Sequence, residues 1–187
     1  NMKSNSSANG FGEGVIYKVP INVSGNSASA PAVWLDLETY LGDNIAGTYI
    51  ADGAYPGSGI YGRTNANPNK IGFTGLGMMK FTNDGSSLLV ANLNSQEIFV
   101  IPVNPATGDA AVTSSSDILR FKLPTIEAPG SWANGNPYRA ILGIGIHPVT
   151  GKAYVSMTCN GPTVANLKGV IYSFDPMDST PDSSDFT

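Results

Sequence analysis

Short runs of alternating apolar and polar residues recur along the chain, separated by clusters of Gly, Asn, Asp, Ser and Pro. Period-2 alternation of this kind is the pattern of a half-buried β-strand. Met79–Ala91 aligns with Ile144–Ser156 at an offset of 65 residues (144 − 79). Each copy reads as a strand, a turn centred on Asn83-Asp84-Gly85 or Val149-Thr150-Gly151, and a second strand. Gly and Asn accept the positive φ that such hairpin turns demand, so antiparallel neighbours are predicted. A third apolar run follows in both copies, Glu97–Pro105 and Gly169–Pro176, and Gly14-Val15-Ile16-Tyr17 matches Gly169-Val170-Ile171-Tyr172 without a change. Fourth strands are predicted at Ala32–Leu37 and Ile118–Leu123.

Four antiparallel strands per copy without intervening helices make an all-β chain and resemble the blades of a β-propeller. The expected organisation is a partial propeller of about three blades, the first and last incomplete. One blade part covers 12–40, an insertion 42–75, a blade 76–126, a second insertion 127–140, and an incomplete blade 141–187. Equivalent core positions are expected at Met79/Ile144, Phe81/Ile146, Leu89/Tyr154 and Phe99/Val170. Closed propellers use roughly 4–8 blades. The 187 residues are therefore expected to be a piece of a longer polypeptide, completed by the rest of its own chain or by other subunits. Both insertions carry aromatic residues (Tyr49, Tyr55, Tyr61, Phe73; Trp132, Tyr138) and join a fourth strand to the next first strand, on the face where ligands usually bind. Loop packing explains those rings without any ligand.

Composition narrows the function classes. Ten Lys+Arg against 14 Asp+Glu and only 13% charged residues give a weakly acidic chain with no basic cluster, which argues against a nucleic-acid partner. No apolar run reaches the 18 residues of a membrane span. Only four acids are Glu (Glu13, Glu38, Glu97, Glu127), so strong helix formers are scarce. One cysteine leaves no intrachain disulfide framework and no cysteine-rich zinc site.

The stretch Gly75–Leu93, read as Gly-Leu-Gly, a strand, Asp84-Gly85, then Leu88-Leu89-Val90-Ala91-Asn92, resembles the blades of extracellular propellers. These occur in large bacterial surface proteins, including gliding-type adhesins, and in related secreted eukaryotic proteins. Pro137–Ile144 followed by Gly151–Cys159 is similar to the next blade of that group, although Ala140-Ile141 replaces Pro-Phe and Met157-Thr158 precedes the cysteine. More loosely, the blades resemble gluconolactonase and NHL-type propellers. The resemblance covers Gly75–Pro176 and implies a fold rather than an activity.

Chemistry is sparse. His147 is the only histidine and stands where a strand meets its turn, the place of a turn histidine rather than a base. No Gly-x-Ser-x-Gly elbow is present. Gly75-Leu76-Gly77 and Gly143-Ile144-Gly145 lack a following helix and so are not a dinucleotide fingerprint; they are expected where strands crowd near the axis. Cys159 reads as a buried thiol on the face of Ala153, Val155 and Met157, with a disulfide to a cysteine outside the segment as the alternative. The carboxylates Asp36, Asp43, Asp52, Asp84, Asp109, Asp117, Asp175 and Asp178 are scattered and contain no Asp-x-Asp-x-Asp-Gly calcium loop. The gluconolactonase resemblance implies a divalent ion at the channel mouth, and Asn92 and Asn160 near strand ends are the candidate carbonyl donors. Asn5-Ser6-Ser7 and Asn22-Val23-Ser24 are N-glycosylation acceptor patterns that fit a secreted chain.

No catalytic or cofactor-binding residue is assigned, and beyond the candidate donors Asn92 and Asn160 the metal ligands stay open. The expected function is a non-enzymatic, extracellular structural or adhesive module at the cell surface, contacting protein subunits or glycans. The alternative is a secreted metal-dependent hydrolase or lactonase working in the propeller channel, with Ca²⁺ as the candidate ion.

Overall fold

The computed structural model describes residues 14–42, 45–46, 75–124, 138–160, 168–182 and 184–187. Insertion residues outside these ranges, with the aromatic side chains of both insertions, lie outside the described residues. The chain is all-β: among the described residues strands dominate, and the single α-helix spans four residues. A two-stranded antiparallel sheet pairs β1 (Val15–Lys18) with β4 (Ala32–Asp36), and a small hairpin joins β2 (Ile21–Asn22) to β3 (Ser27–Ala28). Helix α1 (Glu38–Leu41) ends the fourth-strand run one residue early, because Asp36 Oδ1 accepts the Glu38 N–H and turns the backbone. A four-stranded meander follows in the order β5 (Leu76–Phe81), β6 (Ser87–Asn92), β7 (Glu97–Pro102), β8 (Leu119–Lys122). The last sheet holds β9 (Tyr138–Ile146), β10 (Ala153–Asn160) and β11 (Lys168–Phe174), with β10 in the middle.

The two larger sheets pair in the same register. Met79↔Val90, Lys80↔Leu89 and Phe81↔Leu88 in the first become Ile144↔Val155, Gly145↔Tyr154 and Ile146↔Ala153 in the second, each 65 residues on. The turns between these strands are different in geometry but equal in length. Gly85 N–H bonds to Thr82 O in one, Gly151 N–H to His147 O in the other, and both glycines have φ near +70°. Equal length is what preserves the register.

The third strands correct one expected equivalence. Val90 pairs with Phe99, while Val155 pairs with Tyr172, so the partner position of Phe99 is Tyr172 and not Val170. A slip of two residues keeps every side chain on its face, so alternation alone does not detect it. At the end of the chain, Thr187 exchanges both backbone hydrogen bonds with Ser173, the place that Leu119 takes opposite Val100.

The central sheet is covered on both faces. Its front face, Leu88, Val90, Phe99 and Ile101, packs against Ile16, Leu35 and Leu37. The rear face, Leu89, Ala91, Ile98, Val100, Phe121 and Leu123, packs against Ile141, Ile144, Ala153, Val155, Met157 and Phe174 of the last sheet. All six residues of β6 are buried as a result. A strand buried on both faces gains about 25 cal/mol per Å² of apolar surface from each side, so β6 and β7 anchor the molecule. The expected core is corrected at Phe81 and Met79, which are 51% and 40% exposed, and at Tyr154, at 39%. Phe81 and Met79 lie on β5, at the edge of its sheet, and Tyr154 faces away from the central sheet.

Candidate functional site

The residues singled out for chemistry mostly serve the backbone. Asn92 ends β6 fully buried, and its Oδ1 accepts the N–H groups of Asn94 (3.0 Å) and Ser95 (3.3 Å). Its Nδ2 donates to the Ile45 carbonyl at 3.0 Å, and Asn94 Nδ2 donates to the same oxygen at 3.3 Å. Nearby, the Gly75 N–H bonds to Ala46 O, and the Leu93 N–H to Gly75 O. Asn92 therefore clamps the β6–β7 turn to Ile45, in the stretch that follows α1. Its carbonyl is already committed to two donors, which weakens it as a metal ligand. In the same turn Gln96 adopts φ +58°, and Ser95 Oγ and Gln96 Oε1 are buried without a partner among the described residues.

His147 is a turn cap. Its Nδ1 accepts the N–H groups of Val149 (3.2 Å) and Thr150 (3.1 Å), holding the β9–β10 turn. The His147 and Pro148 carbonyls accept from Asn83 Nδ2 at 2.9 and 3.1 Å, which ties the hairpin turns of two adjacent sheets together. A general base needs that ring nitrogen free to face a substrate, and here it faces its own loop.

The carboxylates are dispersed in the same way. Asp84 Oδ1 accepts from Thr82 Oγ1, Ser86 N and Ser86 Oγ; Asp117 Oδ2 accepts from Thr113 and Ser114. Asp175 and Asp178 accept the N–H groups of Met177 and Thr180, and Asp109 meets Lys18 across the first interface. Asp43, Asp52, Glu13 and Glu127 lie outside the described residues. No group of three or more His, Cys, Asp or Glu converges as a metal set among the described residues. Cys159 and Asn160 sit in β10, paired through backbone to Arg139 and Tyr138, and their side chains lie outside the described residues. Asn22 of the acceptor pattern is exposed on the β2–β3 hairpin, its Oδ1 accepting Ser24 Oγ–H at 3.0 Å; Asn5 lies outside the described residues.

The hydroxyl of Thr82 foremost, then Ser86 N–H, holds the Asp84 carboxyl down at about 2, against an ordinary 3.8. These groups stabilise the ionised form, so the folded state binds the proton less readily than the unfolded chain. The contribution is complete above pH 3.8 and disappears as the pH falls through about 2. An NMR titration is expected to give the Asp84 carboxyl a midpoint near 2 that moves back toward 3.8 in Thr82→Val. An ordinary midpoint in the unsubstituted protein would refute the cap.

One side-chain pair escaped the sequence reading. Glu97, 8% exposed, receives Arg120 Nη2 at 3.0 and 2.7 Å, and the guanidinium carbon stands 5.7 Å from the centre of the Phe99 ring. The cross-strand register brings it about: Phe99 pairs with Arg120, and Glu97 lies two residues along on the same face. The separation of 23 residues offers no local signal. The pair neutralises a buried carboxylate, and nothing reactive adjoins it among the described residues.

Glycines act where strands crowd. A Cβ on Gly77 would come within 2.9 Å of Leu93 Cδ2, and one on Gly143 within 3.2 Å of Ser156 Oγ, so a larger residue there would make those side chains shift. Beside them β5 and β9 run next to each other, and Met78, Phe81 and Leu142 stay about half exposed. Compared with known proteins, the chain matches no family model, no curated protein and no solved structure.

Proposed function

We propose that this chain is a partial β-propeller that does structural or adhesive work outside the cell, as a rigid part of a larger surface assembly. The observation that carries the reading is the central sheet, packed on its front face against Ile16, Leu35 and Leu37 and on its rear face against the last sheet, whose first hairpin repeats its register. Stacking of this kind is how propeller blades bury faces that no single blade buries alone. The strands that would border the axis expose Met78, Phe81 and Leu142 beside Lys80, and no acids converge there among the described residues. Catalysis needs a positioned nucleophile, a base and stabilisation of developing charge. Among the described residues, the side chains best placed for such roles, His147, Asn92, Asp84, Asp117, Asp175 and Asp178, cap turns instead. Polar, weakly charged loops suit contact with glycans or neighbouring subunits.

The test is hydrolysis of lactones and phosphoesters by the protein with and without Ca²⁺. No chelator-sensitive turnover is expected. Turnover lost on chelation and regained with metal would overturn the structural reading in favour of a hydrolase.

A further inference from the structure

The acceptor pattern Asn22-Val23-Ser24 stands on the small β2–β3 hairpin, where Ile21 pairs with Ala28 and Asn22 with Ser27. Residues 18–33 are all exposed, and none belongs to either core cluster. The root of this excursion is nonetheless fixed. Lys18 Nζ meets Asp109, and Trp34 Nε1 donates to the Gly108 carbonyl at 2.8 Å, so the hairpin projects from a held base.

The two ends of the Asn22 carboxamide have different surroundings. Its Oδ1 accepts Ser24 Oγ–H at 3.0 Å and the Gly25 N–H at 2.9 Å. A backbone N–H only donates, so the atom that faces it is the oxygen, which settles which way the amide points. Both turn bonds therefore use oxygen and neither uses Nδ2. A Cβ at Gly25 would stand 2.8 Å from Nδ2, so glycine at that position leaves the nitrogen room. A group attached to Nδ2 keeps Oδ1 in place and with it both bonds of the turn. The flanks of the acceptor are apolar: Ile21 is 71% exposed and Val23 87%. On a two-stranded hairpin such side chains favour association with other chains, and a bulky, hydrated substituent between them opposes it.

We propose that Asn22 is an N-glycosylation site of the secreted chain. Asn22 Nδ2 bonds to C1 of the first sugar of a polyprenyl-diphosphate-linked oligosaccharide. The bond from C1 to the diphosphate oxygen breaks, its electron pair leaves with the polyprenyl diphosphate, and the Nδ2 proton passes to a base of the transferase. The Ser24 hydroxyl completes the recognised pattern, and Val23 satisfies the exclusion of proline between the two. This rests on the reading that the chain works outside the cell.

The test is peptide mass mapping of the chain recovered from the medium of secreting eukaryotic cells, before and after digestion with an amidase that releases N-linked glycans. The peptide that holds Asn22 is expected to carry hexosamine and hexose, and after digestion position 22 should read as aspartate. Asn22→Gln and Ser24→Ala should each abolish the modification, Ser24→Thr should retain it, and Asn5→Gln should leave it unchanged. All four are read on the same peptide, so a site at Asn5 is not mistaken for one at Asn22. Digested protein should aggregate sooner than glycosylated protein, and Ile21→Ser with Val23→Ser should remove that difference. A secreted chain unmodified at Asn22 overturns the proposal, as does a modification that survives Ser24→Ala. An unmodified Asn22 without metal-dependent turnover leaves the structural reading standing, whereas metal-dependent turnover removes that reading whether or not Asn22 carries sugar.

Discussion

Truncation of Phe121 to Ala is expected to lower the unfolding free energy by about 3–5 kcal/mol, the range for a fully buried phenylalanine whose cavity does not collapse. Phe121 is 0% exposed, on the rear face of β8. Its ring centre lies 4.7 Å from that of Phe174 and 6.4 Å from that of Phe186, so it joins the central sheet to the last one. Removing the ring takes away its own buried surface and also the edges against which Phe174 and Phe186 pack. The same truncation at Phe81, 51% exposed on the edge strand, should cost less than about 1 kcal/mol. Urea unfolding of both variants, compared at constant m-value, measures the difference. Equal losses would mean that the sheets do not stack through Phe121.

The second large effect is expected at Asn92. Asn92→Ala should cost about 2–3 kcal/mol, because it strips the partners from groups around a side chain that is 0% exposed. Asn94 N–H and Ser95 N–H lose their acceptor, and Ile45 O loses a donor. Water reaches a buried turn poorly, so the desolvation penalty of each orphaned group is not recovered. Hydrogen exchange gives an independent measure: protection of the Asn94 and Ser95 amides should fall more than that of β6 and β7. A stability loss under about half a kcal/mol with unchanged exchange would show that the clamp does not hold the turn.

Much of the candidate site was invisible along the chain. Asn92 looked like a spare carbonyl near a strand end, and only the approach of Ile45, 47 residues away, shows its oxygen and nitrogen both occupied. His147 was read as a turn residue, and its ring nitrogen does cap the turn two and three residues ahead. That reading was local, hence legible. The Glu97–Arg120 pair was not, because it depends on how β7 and β8 register across an intervening connection.

By itself the sequence determined the local units: the hairpins, the matching register of their first two strands, the scarcity of helix, and fourth strands expected at Ala32–Leu37 and Ile118–Leu123, which form at Ala32–Asp36 and Leu119–Lys122. Alternation of period 2 and turns of fixed length act over a few residues, so they leave a readable trace. The tertiary structure alone decided which faces are covered. Leu89 and Tyr154 hold the same place in matching hairpins, yet one is 0% and the other 39% exposed. Likewise, Val170 and Tyr172 share a face, and only pairing across β10 tells which of them stands where Phe99 does. Burial is a property of what packs against a strand, and a strand's own pattern states that a face is apolar without stating what lies on it.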